Sequence, residues 1–293
     1  MHIFVTGGTG LIGTSVVAEL LGHGHTVSGL ARSESSSAAL VTTGATPVLG
    51  GLTDLDVLRE AAATSDGVVH LAFANDFSSH AALTAAVTEE SAALAAMGEA
   101  LVGSDRPFVM CSGTPRVPGR TSTEHDPIPV DGQVGGRGKS VTAVLALADR
   151  GVRASAVRLP RTVHRDGNGG FAGMLTAIAR RTGVAGYPGD GSQRWPAVHA
   201  LDAAVLFRLV LEGAPAGTAW HAVDDEGDAV RDIVGVIGSR LGLPVLSVPV
   251  ESFGPVGAIF ALDQPSTSVY TRQALGWQPT HPKLLVDLEN VSA

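Results

Sequence analysis

Cysteine is almost missing from this chain: Cys111 is the only one in 293 residues. No disulfide can form within it, and a reducing, cytoplasmic compartment is expected. Lysine is nearly as rare, present only at Lys139 and Lys283, and tyrosine only at Tyr187 and Tyr270. Chemistry that needs an ammonium or a phenol therefore has few places to go. No apolar run approaches the roughly 20 residues of a membrane span. The chain opens directly on the core-like run Ile3-Phe4-Val5, so no signal peptide is expected. Twenty basic against 28 acidic residues give a formal net charge of −8, which argues against a nucleic-acid surface. What the chain does have is apolar residues (44%) and 37 glycines, enough to bury a sizeable core.

Short apolar runs at Ile3–Thr6, Thr26–Leu30, Thr46–Leu49, Gly67–Leu71, Pro107–Cys111 and Ala154–Leu159 alternate with helical stretches near 11–21, 35–43, 54–64, 79–103 and 138–150. Six strands alternating with helices predict an α/β fold, a Rossmann-type doubly wound parallel sheet over residues 1–160. After Pro160 the pattern breaks into the turn-forming run Asp166-Gly167-Asn168-Gly169-Gly170 and helices near 171–182, 201–211 and 228–243. These pieces are too short for an independent core. They read as a smaller C-terminal substrate lobe, 161–293, interleaved with the sheet and covering the strand ends where open α/β sheets bind ligands.

The run Thr6-Gly7-Gly8-Thr9-Gly10-Leu11-Ile12-Gly13 follows the first strand and opens the first helix. Glycines there allow a tight turn and a close approach of backbone to phosphate, and the helix N-terminus favours negative charge. Gly7, Gly10, Leu11, Ile12 and Gly13 are thus expected to bind a dinucleotide pyrophosphate. At the end of the second strand, Leu30-Ala31-Arg32-Ser33 offers no acid for a ribose 2′-hydroxyl; Glu34 comes two residues late. Arg32 can pair with a 2′-phosphate and Ser33 can add a hydrogen bond. NADP(H) is the expected cofactor, in preference to NAD(H).

The chain resembles, over nearly its whole length, the extended and atypical short-chain dehydrogenase/reductases, the NAD-dependent epimerase/dehydratase superfamily. The resemblance rests on the glycine signature, on Val69-His70-Leu71-Ala72, on Val157-Arg158-Leu159-Pro160, on Gly189-Asp190-Gly191-Ser192 with Val198-His199 and Asp202, and on Leu275-Gly276-Trp277-Gln278-Pro279. It implies cofactor contacts at Leu71 and Ala72 and an adenine-side loop at Leu52-Thr53-Asp54. Gly51 stands where many relatives carry an aspartate, and Asp54 is read as a cap for the helix from Leu55. His70 reads as a structural hydrogen-bonding residue. A homodimer through the fourth and fifth helices is a further implication of the resemblance.

Such enzymes use a Tyr-x-x-x-Lys pair with a Ser or Thr, because hydride transfer to a carbonyl builds negative charge on oxygen. Here Lys139 has Gly135, not tyrosine, four residues upstream. Lys139 is read as a ribose contact, with Ser112 and Thr114 as candidate hydroxyls. A glycine-rich fragment ending Lys139-Ser140 is no P-loop, since Gln133 stands where the first glycine is required. Glu90 falls where relatives often carry asparagine. A substitute proton donor is sought in the second lobe, at His164, with Tyr187, Trp195 and His199 as substrate contacts. Glu124-His125-Asp126 reads as a solvent-facing cap, Cys111 as a buried apolar residue, and no metal is expected at His23 and His25. The resulting expectation is an NADP(H)-dependent oxidoreductase acting on a small carbonyl or alcohol without the usual tyrosine. The alternatives are a sugar-nucleotide epimerase or dehydratase and a non-catalytic NADP(H)-binding sensor.

Overall fold

The computed structural model describes residues 1–74, 79–131 and 135–292; Gln133 lies outside them. In chain order the first elements are β1 (His2–Thr6), α1 (Leu11–Gly22), β2 (Thr26–Ala31), α2 (Glu34–Thr43), β3 (Thr46–Leu49), α3 (Leu55–Ala63), β4 (Gly67–His70), α4 (His80–Leu101), β5 (Pro107–Gly113), α5 (Gly135–Leu145) and β6 (Arg153–Leu159). They are followed by β7 (Thr162–His164), α6 (Gly170–Thr182), β8 (Ala185–Pro188), β9 (Arg194–His199), α7 (Ala200–Gly213), β10 (Thr218–His221), β11 (Asp225–Ala229), α8 (Val230–Leu241), β12 (Val245–Val248), α9 (Gly257–Phe260), α10 (Val269–Leu275) and α11 (Leu284–Asp287).

Two compact units divide these elements. The first comprises Met1–Ser112, Ile128–Arg158 and Ala204–Trp220. Its sheet runs β10-β6-β5-β4-β1-β2-β3, with β1 parallel to both β2 and β4. Ile3, Phe4 and Val5 are fully buried, as a central parallel strand covered on both faces requires. Phe4, Val68, Phe108 and Met110 of the sheet meet Leu58 and Ala62 of α3, Leu94 and Met97 of α4 and Val141 and Val144 of α5 in one apolar cluster. Truncating one such side chain costs about 2–5 kcal/mol.

Among the described residues the sheet has seven strands rather than the six read from sequence, because the four-residue segment Thr218–His221 returns to pair at its edge. Residues 204–220 fall within the first unit. The helix expected over 138–150 instead begins at Gly135 and tightens into a 3-10 turn at Ala146–Arg150.

The second unit comprises Gly113–Pro127, Leu159–Ala203 and the chain from His221 onward. β7 and β9 pair in parallel, setting His164 opposite His199, and β11 pairs antiparallel to β9. Residues 228 and 229, expected to open a helix, instead end this third strand, and the helix begins at Val230. The core is aromatic: Trp195 lies 5.5 Å from Phe171 and 5.2 Å from Phe260, centroid to centroid. No helix among the described residues is long and apolar enough to cross a membrane.

Candidate cofactor and catalytic site

In the first unit, β2 and β4 flank β1 on opposite sides, so the sheet reverses its order at the C-terminal end of β1. Open α/β sheets bind ligands at such a switch point. The glycine turn occupies it. Gly7 takes φ +72°, and a Cβ there would lie 2.7 Å from the Ala72 amide nitrogen. A Cβ on Gly13 would lie 2.0 Å from the Gly7 carbonyl oxygen, so glycine is obligatory at both places. Gly10 caps α1 with no side-chain hydrogen bond to the first turn, where Leu11 is exposed and Ile12 half-buried. The amide groups of that turn can therefore face an anion.

Buried Thr6 fixes the loop after β4. Its hydroxyl accepts from the Leu71 and Ala72 amides, both at 3.3 Å, and donates to His70 Nδ1 at 2.9 Å. Burial, reinforced by the positive charge of Arg137, pushes the His70 pKa down to about 3. The ring is neutral near pH 7 and serves as part of this hydrogen-bonded frame.

At the end of β2, Arg32 is exposed and has no hydrogen bond or ion pair among the described residues. Ser33 caps α2: its Oγ accepts from the Ser36 amide at 3.2 Å, and its amide donates to Ser36 Oγ at 3.0 Å. Its hydroxyl is thus engaged in a capping box. Leu52 packs half-buried against the core. Asp54 does not cap α3 through its carboxylate, as expected from sequence; the carboxylate turns back to accept from the Gly51 amide at 2.7 Å.

A charged cluster joins α4 and α5. Arg137, on α5, donates from Nε to Glu90 Oε2 at 2.9 Å and from Nη2 to Glu90 Oε1 at 2.7 Å. Its guanidinium lies 4.0 Å from the Phe73 ring centroid, and Nη2 reaches the Cys111 carbonyl at 3.4 Å. Glu90 is fully buried. Burial opposes the Arg137 charge, but the hydrogen bonds to Glu90 outweigh it and raise the guanidinium pKa. Next to Cys111, Ser112 is buried and its Oγ has no hydrogen-bond partner among the described residues. Burial pushes the Cys111 thiol pKa up, which suits an inert apolar residue. Lys139 is exposed. Sequence reasoning singled out Lys139 and Glu90 and missed Arg137, although an arginine is the residue able to neutralise a buried acid at position 90.

The remaining candidates lie in the second unit. Thr114 is buried and receives Gln264 Nε2 on its carbonyl at 2.8 Å and on Oγ1 at 3.3 Å. His164 is 1% exposed and donates from Nδ1 to Asp287 Oδ2 at 2.9 Å. Trp195 is 0% exposed and offers no surface to a ligand; the expected substrate contact is a core residue. Tyr187 is half-buried on β8. His199 is buried, and burial, then the charges of His164 and His281, lower its pKa. Glu124, expected at the surface, is buried and accepts from the Thr271 amide and hydroxyl at 2.8 and 2.7 Å. Arg194 pairs with Asp263, while Arg161 bonds the Ile259 carbonyl and Gln264.

A family model described as NAD dependent epimerase/dehydratase family matches residues 3–131. An uncharacterized protein of Schizosaccharomyces pombe is 43% identical over 297 residues, covering 98% of each chain, and one of Saccharomyces cerevisiae is 40% identical over the same span. The fold is shared with a dTDP-glucose 4,6-dehydratase from Streptomyces venezuelae solved with NAD bound, at TM-score 0.79 and 19% identity, covering 99% of this chain and 95% of that one.

Proposed function

Because the chain belongs to the NAD-dependent epimerase/dehydratase family, we propose that it is an NADP(H)-dependent oxidoreductase acting on a small carbonyl or the matching alcohol. The observation that carries this reading is the uncapped glycine turn at the sheet's switch point, with an unpaired Arg32 at the end of the neighbouring strand. The turn tolerates no side chain at Gly7 or Gly13, where a Cβ would collide with the backbone of Ala72 or of Gly7. The amides of the first turn of α1 would hold the pyrophosphate, and Arg32 the 2′-phosphate. Leu52, Leu71 and Ala72 would line the cofactor, with Lys139 a contact for its nicotinamide ribose.

When bound, the nicotinamide supplies or accepts the hydride. Ser112 Oγ, buried without a partner among the described residues, would donate a hydrogen bond to the substrate oxygen. Arg137 bonds the carbonyl of the preceding residue and brings a fixed positive charge to the same strand end. It stabilises developing negative charge but, with its raised pKa, does not act as the proton donor. His164 Nδ1 is committed to Asp287, which speaks against the proton-transfer role read from sequence.

A sugar-nucleotide reaction is less well supported, because Arg161 and Arg194 are already engaged within the second unit and Arg165 contacts Asp166. The test is turnover. NADPH oxidation by the purified protein is followed by nicotinamide absorbance against a panel of small aldehydes and ketones, with Ser112→Ala in parallel. Turnover that falls in the variant supports the reading. NADPH binding without turnover on any carbonyl would favour a sensor.

A further inference from the structure

We propose that the carbonyl substrate carries a carboxylate, bound by the Nη1 end of the Arg137 guanidinium beside Ser112. The inference rests on the oxidoreductase reading and names its substrate class, a short oxo acid and the matching hydroxy acid. Every residue it uses belongs to the first unit.

A guanidinium offers five N–H donors in a rigid planar fork. Glu90 takes one edge of it, from Nε at 2.9 Å and from Nη2 at 2.7 Å. The Cys111 carbonyl accepts from Nη2 at 3.4 Å. Nη1 carries two N–H groups outside the Glu90 edge and has no hydrogen bond or ion pair among the described residues. The Phe73 ring covers one face of the plane, its centroid 4.0 Å from Cζ. The Arg137 side chain is 25% exposed and that of Glu90 0%, so the pair opens to solvent on the arginine side.

A buried ion pair gains little net stability over well-packed apolar side chains. This one fixes a guanidinium in place before a ligand arrives, so binding sacrifices little side-chain freedom. An anion at Nη1 touches the guanidinium directly and meets the Glu90 charge only across it, so attraction prevails at the shorter distance. Arg137 bonds the carbonyl of Cys111, and Ser112 follows directly on β5 with its Oγ buried and unpartnered among the described residues. A substrate oxygen on Ser112 and a carboxylate on Arg137 are thus held by neighbouring groups, which matches a 2-oxo or 3-oxo acid. In the reductive direction the carbonyl carbon accepts a hydride from the reduced nicotinamide and the oxygen takes a proton from solvent. The product is the hydroxy acid, with the nicotinamide oxidised and the carboxylate unchanged.

The experiment compares acids with neutral analogues on the purified full-length chain. Turnover with NADPH is measured for pyruvate and acetoacetate against methyl pyruvate, methyl acetoacetate and butanone. The acids should exceed the neutral compounds by about 10- to 100-fold in kcat/KM, as expected for charge-assisted hydrogen bonds to a carboxylate. Oxamate, the amide analogue of pyruvate that accepts no hydride, should bind saturably in calorimetry on protein saturated with NADPH. In Arg137→Met/Glu90→Leu, which removes both charges together, the ratio of acid to neutral turnover should fall to about one and oxamate binding should be lost. The wild-type comparison needs no variant to fold.

Neutral carbonyls reduced as well as the acids, without oxamate binding, would overturn the carboxylate site and leave the oxidoreductase reading standing. An acid preference that survives in the double variant would overturn the assignment to Arg137. Oxamate bound by wild type and not by the double variant, without turnover of any carbonyl, would support the site and overturn the oxidoreductase reading. Neither turnover nor oxamate binding would overturn both.

Discussion

Replacing Arg137 by methionine keeps most of the aliphatic stem and removes the guanidinium, with its contact over the Phe73 ring. Glu90 is then left fully buried with both oxygens stripped of their donors. The nearest other ring nitrogen, His70 Nε2, is 3.9 Å from Oε1, too far for a hydrogen bond, and His70 is neutral near pH 7. Breaking a buried ion pair from one side costs about 3–5 kcal/mol, because the surviving charge has lost its solvent and its partner. At about 2 °C per kcal/mol for a chain of this size, Tm should fall by roughly 6–10 °C. Removing the acid as well, in Arg137→Met/Glu90→Leu, replaces the pair with apolar contacts and should recover most of the loss. Thermal denaturation and urea unfolding of the three proteins measure the cycle. A single variant within about 1 kcal/mol of wild type, or a double variant less stable than the single, would refute the idea that Arg137 neutralises a buried Glu90.

The same frame makes stability depend on acid. His70 binds a proton near pH 6.5 in the unfolded chain but only near pH 3 when folded, so its contribution is complete above pH 6.5. Below that, stability falls by about 1.4 kcal/mol per pH unit as the unfolded state takes up the proton. His70→Asn, which keeps an acceptor for Thr6, should flatten the decline between pH 6 and about 4 in chemical unfolding curves; an unchanged slope would contradict the assignment. Ser112→Ala should lower kcat by about 100-fold with little change in NADPH affinity. A KM effect alone would make Ser112 a binding residue. Gly13→Ala, whose Cβ would meet the Gly7 carbonyl, should abolish dinucleotide binding in calorimetry. Retained affinity would mean the turn does not cradle the phosphates.

The parallel sheet was legible because its strands are short, β-branched and bounded by turn residues, and because the glycine spacing at Gly7, Gly10 and Gly13 answers to a steric demand visible in the structure. β10 was not, since Thr218–His221 carries no alternation long enough to separate it from a loop. Arg137 on α5 was passed over for a related reason. Lys139 drew attention through its spacing from Gly135, where the resemblance implies a tyrosine, whereas the partner of buried Glu90 is two residues earlier. Burial of Trp195 and Glu124 depends on tertiary partners, Phe171 and Phe260 for one and Thr271 for the other, that lie far away in sequence. The grouping of His164, His199 and His281 is likewise invisible until the chain folds, although Val198-His199 and Asp202 stood out as a motif.

The central claim concerns the cofactor, and it is tested most directly by titrating the purified protein with NADPH and NADH while following nicotinamide fluorescence, for wild type and Arg32→Ala. Tight NADPH and weak NADH binding are predicted for wild type. In Arg32→Ala, NADPH should lose about 1.5–3 kcal/mol, roughly 10- to 100-fold in Kd, with NADH nearly unaffected. Equal losses for both, or no binding of either to wild type, would contradict the account.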